Sequence, residues 1–197
     1  MKCLVVTTHP LTESLCKNLS DFIRNKAVAS GHKVTIEDLY TSDFNPVLTV
    51  NERKSYYQVD YDSSKVTDQI QKLKETEALV LVFPTWWFGF PAMLKGWFDR
   101  VWVPGAAYDH ADDLGAIKPL LNNLKEVLVV TTLGSPWWVD KLLMRQPVKR
   151  VVKVALLTTC ARKANLRFLS LYKSEKLNDK EVSSFKRKIE KAIEKWQ

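Results

Sequence analysis

The sequence predicts an α/β protein: a doubly wound, five-stranded parallel sheet in strand order 2-1-3-4-5, with helices on both faces. Three observations carry this. Apolar runs at residues 3–8, 78–83 and 126–133 are nearly continuous, the pattern of strands buried on both faces of a parallel sheet. Segments with helical spacing follow the strands, so strand and helix alternate five times along the chain. The length, 197 residues, suits one domain covering 1–197.

Strand one, residues 3–8, runs into the polar loop His9, Pro10, Leu11, Thr12, Glu13 and Ser14. Helix one follows through Leu15, Leu19, Phe22, Ile23 and Ala27, and Gly31 suits its C′ position. This arrangement puts bare backbone N–H groups and a positive dipole end at residues 12–16, a ready phosphate site. There is no Walker glycine pattern and no GxGxxG, which excludes a P-loop and a dinucleotide Rossmann fingerprint. On the residues alone, His9 reads as a strand-end or surface histidine.

Residues 33–39 alternate and read as an edge strand. Residues 40–65 look irregular, with Tyr56, Tyr57 and Tyr61 anchoring a loop or lining a pocket. A short helix at 66–75 leads to strand three, which ends at Pro84 because proline cannot donate to the ladder. Pro91 fits the first turn of the next helix. From 91 to 103, Met93, Leu94, Trp97, Phe98, Val101 and Trp102 recur at helical spacing. Leu94, Trp97, Phe98 and Val101 fill the stripe owed to the sheet, while Trp102 and the preceding aromatics fall outside it. That predicts surplus apolar surface and a two-fold homodimer near this helix. The alternative is that residues 40–65 cover these aromatics within one chain.

The loop Trp86, Trp87, Phe88 and Gly89 lies beyond the carboxyl end of strand three, where open parallel sheets bind ligands. By composition alone its aromatics serve equally well as core or interface. Strand four is residues 126–133. Residues 139–158 read as a helix or two, interrupted near Pro147. Strand five is 166–172. Asn178 with Glu181 makes a capping-box start for a last helix reaching Trp196.

Composition narrows the function classes. The chain is 46% hydrophobic and 26% charged, ordinary for a soluble protein. It has no run of 18 apolar residues and no signal peptide, so a cytoplasmic location without a transmembrane segment is expected. Cys3, Cys16 and Cys160 are far apart and odd in number, which predicts reduced buried thiols and no metal site. The net charge of +8 is uneven: residues 1–140 hold 14 Lys+Arg against 17 Asp+Glu, and residues 141–197 hold 16 against 5. A solvated basic face accounts for this, with attraction of anionic nucleotides as the functional alternative. No nucleic-acid motif accompanies the charge, and no nucleic-acid partner is expected.

Phe83 and Pro84, then Gly89, Pro91, Ala92 and the run Leu94, Lys95, Gly96, Trp97, Phe98, Asp99, Arg100, Val101, resemble the signature of the NAD(P)H:quinone oxidoreductases, flavodoxin-like flavoproteins. The likeness extends in collinear order to His9 and Ser14, to Ala107 and Tyr108, and to Thr131, Thr132 and Gly134, covering residues 1–170 or so.

The resemblance implies an FMN or FAD cofactor, FMN the preferred of the two, with NAD(P)H as co-substrate and a quinone-like acceptor. It implies that His9, Ser14 and the backbone at Leu15 and Cys16 hold phosphate. Pro84, Thr85, Trp86, Trp87 and Phe88 would wrap one side of the flavin ring, and Thr131, Thr132, Leu133 and Gly134 would border the other. Nicotinamide and acceptor would stack in turn on Trp87 and Phe88, giving ping-pong kinetics. Tyr108 and His110 are the candidate catalytic side chains, Tyr108 reaching over the active site of a homodimer partner. Two departures bear on proton handling. Leu133 stands where better-known members have the first of two glycines, and Pro136, Trp137 and Trp138 replace a nearby tyrosine and histidine. Some relatives are ancillary subunits of potassium efflux systems, so an alternative is a regulatory flavoprotein with a peripheral contact to a membrane protein. A flavodoxin-like electron carrier is a third reading, opposed by the +8 charge.

Overall fold

The computed structural model describes residues 1–58, 61–109 and 117–196. Five parallel strands form the central sheet: β1 (Lys2–Thr7), β2 (Lys33–Asp38), β3 (Ala78–Pro84), β6 (Glu126–Leu133) and β7 (Asn165–Tyr172). Their order is β2-β1-β3-β6-β7, the predicted 2-1-3-4-5 pattern once the short strands β4 (Tyr108–Asp109) and β5 (Lys118–Pro119), which pair only with each other, are set aside. The ends of the three central strands are level. Thr7 pairs with Val82 and Pro84 with Thr132, so the loops after β1, β3 and β6 emerge side by side.

Alternation within the strands splits the core into two layers. Cys3, Val5, Val80, Val82, Leu128 and Val130 face α1 (Leu15–Ala29) and α7 (Asp179–Ile193). Leu4, Val6, Leu79, Leu81, Phe83, Val127 and Val129 face the opposite layer. That layer holds α3 (Thr67–Glu75), α4 (Ala92–Val101) and the helical segments between residues 139 and 160. Each wholly buried Val, Leu or Phe contributes about 1.5–3 kcal/mol. Helix α1 is capped by Ser14, whose Oγ accepts from Lys17 N–H at 3.2 Å, and Gly31, with φ +81°, takes the C′ position after it, as the sequence predicted. Helix α7 starts in the expected Asn178–Glu181 capping box and ends at Ile193, three residues short of Trp196.

The described residues between 40 and 65 are more ordered than the sequence suggested. They contain α2 (Val50–Ser55), opened by a capping box between Thr49 and Glu52. The segment is fastened to α4 by a buried ion pair: Arg100 Nε and Nη2 donate to Glu52 Oε1 at 2.9 and 2.5 Å. Arg100 also donates to Asn45 O and stacks its guanidinium over Phe44 at 5.5 Å. A Cβ on Gly96 would lie 2.2 Å from Pro46 O, so only glycine lets this segment approach so closely.

The expectation that Trp102 would be left over fails for this reason. Helix α4 has a second apolar face. Trp97, Phe98 and Trp102 are buried within the chain and pack edge-on against one another at 5.4–6.3 Å. The predicted break near Pro147 is present, but it turns at Arg145 and Gln146, both left-handed at φ +56° and +50°. The segments around it are π-helical at Val139–Leu143 and Val151–Leu157, with α5 (Pro147–Arg150) between them and α6 (Thr158–Cys160) after them. Among the described residues, no helix is long and apolar enough to cross a membrane.

Candidate functional site

Three loops meet at the end of the sheet where the strand order reverses between β1 and β3. The first carries His9 and the start of α1. Leu11 N–H donates to His9 Nδ1 at 3.1 Å. The carbonyl oxygen of Leu11 also lies 3.3 Å from Nδ1, so both local contacts of the ring fall on Nδ1 and leave Nε2 for a ligand. The amides of Leu15 and Cys16 occupy the first turn of α1, which no intrahelical carbonyl reaches. The Ser14 hydroxyl uses a lone pair on Lys17 N–H and keeps its own hydrogen. Lys17 is not a free cation beside this turn: its Nζ pairs with Asp38 Oδ2 at 2.9 Å.

The second loop follows β3. Gly89 N–H donates to Trp86 O at 2.9 Å, closing a tight turn around Trp87 and Phe88. Both central residues are left-handed, φ +51° and +55°. Positive φ at two consecutive positions is the type I′ geometry, which favours glycine and asparagine. Aromatic residues held there cost on the order of 1–3 kcal/mol each, and such strain clusters at functional sites. The turn leaves Trp87 100% exposed and Trp86 44% exposed, while Phe88 is half-buried. The ring of Trp86 lies 6.3 Å from that of His9, so the first two loops touch.

The third loop follows β6 and is tied to both others. Thr131 and Thr85 share a hydroxyl–hydroxyl bond of 2.7 Å, and Thr85 N–H donates to Thr132 O at 2.9 Å. Thr132 Oγ1 lies 3.6 Å from Cys16 Sγ, and burial pushes that thiol up to about 11. Leu133 is buried, and its carbonyl accepts from Ser174 N–H at 2.9 Å. Gly134 is exposed at the loop's start.

The structure therefore brings His9, Ser14, Leu15, Cys16, Pro84, Thr85, Trp86, Trp87, Phe88, Thr131, Thr132, Leu133 and Gly134 to one end of the sheet. Tyr108 stands elsewhere, on β4, its hydroxyl donating to Tyr56 at 3.3 Å. Burial, then the hydrogen bond to Tyr56, raises its pKa far above the usual tyrosine range. His110 lies outside the described residues. Two buried hydroxyls at these strand ends, Thr8 Oγ1 and Ser135 Oγ, have no hydrogen-bond partner. Buried hydroxyls are rarely left so. Sequence reasoning missed both. Thr8 reads there as the last residue of a strand, and Ser135 as part of a turn.

Residues 1–197 match the family described by its flavodoxin-like fold. The chain belongs to that family. Its sequence relatives within the flavodoxin-like proteins carry the names of NAD(P)H oxidoreductases. An uncharacterized NAD(P)H oxidoreductase of Escherichia coli K12 is 42% identical over 105 residues, covering 53% of this chain and 54% of the relative. The NAD(P)H dehydrogenase [quinone] 1 of Rattus norvegicus is 31% identical over 152 residues, covering 68% of this chain and 54% of that protein. The match thus spans little more than half the length of these curated relatives. A crystal structure from Streptococcus mutans UA159 superposes with a TM-score of 0.83 at 28% identity, covering 98% of both chains. An FMN-dependent NADH-azoreductase from Bacillus anthracis, solved in complex with FMN, shares the fold with a TM-score of 0.78 at 17% identity and 98% coverage of each chain.

Proposed function

We propose that this chain is a flavin-dependent oxidoreductase that takes electrons from NAD(P)H and passes them to quinone-like acceptors, its flavin held across the ends of β1, β3 and β6. One observation carries the reading: the three loops are hydrogen-bonded into a single cradle that includes a strained, solvent-facing aromatic turn. The residues present fit the group. His9, Ser14 and the amides of Leu15 and Cys16 would hold phosphate; Pro84 to Phe88 would flank one side of the ring; Thr131 to Gly134 would flank the other. FMN is favoured over FAD, a choice supported by the FMN-bound Bacillus anthracis neighbour.

When bound, the flavin supplies the hydride chemistry. The protein's residues bind, orient and shield. Trp87 and Phe88 offer one apolar wall on which nicotinamide and acceptor stack in turn, so the two exclude each other and kinetics are ping-pong. Tyr108 keeps its proton and serves as a hydrogen-bond donor rather than a base; His110 is the other candidate for proton handling. A homodimer in which the second subunit finishes each site is supported by the exposure of Trp86 and Trp87 at the mouth. A cytoplasmic location goes with the use of NAD(P)H. The relatives cited are oxidoreductases, and nothing in the cradle favours the transporter-subunit alternative.

The test is steady-state oxidation of NADH and NADPH by flavin-loaded protein with a short-chain quinone. Parallel double-reciprocal lines are expected. Flavin-loaded protein that turns over neither reductant would overturn the reading.

A further inference from the structure

A fourth segment closes on the cradle. Residues 173–177 lead from the end of β7 to the start of α7, and they are stitched to the loop after β6. Ser174 N–H donates to Leu133 O at 2.9 Å, and Lys173 N–H donates to Ser135 O at 3.2 Å. The register prepares this contact: β6 and β7 stay paired as far as Leu133 and Tyr172, so the two strands deliver their loops side by side. The chain then turns on Lys173, which is left-handed at φ +55°, and Lys176 N–H closes the turn on Lys173 O at 3.0 Å.

That turn brings one carboxylate to the cradle. Glu175 Oε1 lies 3.1 Å, and its Cδ 3.7 Å, from where a Cβ on Gly134 would stand. The missing side chain of Gly134 is what lets the carboxylate approach so closely. Gly134 is one of the residues proposed to border the flavin ring, so Glu175 stands at the same border. The residue is exposed, and Lys173 and Lys176 flank it in sequence. Among the described residues its carboxylate has neither an ion pair nor a hydrogen bond, so its charge is not neutralised locally.

The position of this charge bears on the chemistry proposed above, on which the inference rests. The oxidised flavin ring is neutral. A hydride from NAD(P)H brings one negative charge into the cradle, and the nicotinamide leaves in its oxidised form. When the acceptor takes the electron pair, that charge leaves the cradle with it. A carboxylate fixed beside the ring therefore disfavours the reduced state and leaves the oxidised state nearly untouched. We propose that Glu175 sets the redox balance of the bound flavin: it weakens the hold of the cradle on reduced flavin relative to oxidised flavin, and so favours passage of electrons to the acceptor.

The experiment is the two-electron midpoint potential of the full chain loaded with FMN, or with FAD if that alone binds, read by equilibration with a reference dye at neutral pH and low salt. Wild type, Glu175→Gln and Glu175→Asp are compared, and calorimetry gives the affinity of each for the oxidised flavin. Glu175→Gln keeps the shape and removes the charge. Its affinity for oxidised flavin should match wild type, while its affinity for reduced flavin should rise about two- to fivefold, the range for one solvent-exposed charge pair. Fivefold is a midpoint potential about 20 mV more positive for a two-electron couple. The difference should fade as salt rises toward about 0.5 M. Glu175→Asp keeps the charge and should stay nearer wild type. A wild-type potential in E175Q overturns the proposal, as does an equal shift in E175D and E175Q, or a gain in oxidised-flavin affinity as large as that for reduced flavin. Wild-type protein that binds neither flavin overturns the flavin reading itself, and this inference with it.

Discussion

Thr85 Oγ1 and Thr131 Oγ1 lie 2.7 Å apart and join the loop after β3 to the loop after β6. Thr131 is buried, so its hydroxyl has little access to water if Thr85 is lost. Thr85→Val should therefore destabilise the fold by about 1–3 kcal/mol, the cost of a stranded buried hydroxyl. The double variant Thr85→Val/Thr131→Val should cost less than the two single changes added together, because it strands nothing. Urea unfolding of the four proteins checks this; strict additivity would mean the hydroxyls do not interact.

His9 Nδ1 is engaged by the backbone of Leu11, which leaves Nε2 for a ligand. His9→Ala is expected to weaken flavin affinity by about 1–3 kcal/mol, the range for a hydrogen bond to a charged group, and to leave the unfolding midpoint close to wild type. Calorimetric titration distinguishes the two roles: unchanged affinity would return His9 to a strand-end residue.

Glu52 and Arg100 form a buried pair, and removing one partner leaves an uncompensated charge. Glu52→Gln should cost about 3–5 kcal/mol at neutral pH. Burial pushes the Glu52 carboxyl up, but hydrogen bonds from Arg100 and from Thr49 outweigh it and hold the pKa below the ordinary value. A depressed carboxyl contributes stability that is present above its unfolded pKa, about 4.3, and is lost as pH falls through the lower folded value. Acid unfolding of wild type should therefore include a component between neutral pH and strong acid that Glu52→Gln lacks. Identical pH dependence in both proteins would contradict the assignment.

Gly96→Ala would place a methyl 2.2 Å from Pro46 O and 2.6 Å from its Cα. Backbone cannot yield as a side chain can, so a loss of about 1–3 kcal/mol or more is expected in chemical unfolding. A neutral substitution would mean that the 40–65 segment is not seated on α4.

Much of this fold was legible because several independent signals agreed. The run at Glu126–Leu133 matches β6 residue for residue, and Asn178 with Glu181 caps α7 as read. Alternation of strand and helix implied a doubly wound parallel sheet, and the order 2-1-3-4-5 was expected by likeness to flavodoxin. What escaped the sequence depended on contacts distant along the chain. Thr49-x-x-Glu52 is a capping box in plain view, yet α2 has six residues and too few apolar positions for a period to emerge. Trp102 reads as surplus until the Pro46 and Glu52 side of the excursion is folded onto α4. The positions of His9 and Thr131 came from a resemblance, but their joining into one cradle rests on Cys16–Thr132 and Thr85–Thr131 contacts that no spacing announces. The turn at Trp87 and Phe88 was illegible in principle: neither central residue is the glycine or asparagine that marks a left-handed turn.

The central claim is that the cradle between β1, β3 and β6 holds a flavin. Calorimetric titration of the purified, flavin-stripped chain with FMN and with FAD tests it most directly. The account predicts one flavin bound per chain, with at least one of the two binding below roughly micromolar concentration and with affinity reduced in His9→Ala. No heat of binding for either flavin at micromolar protein, in a chain that unfolds cooperatively, would contradict it.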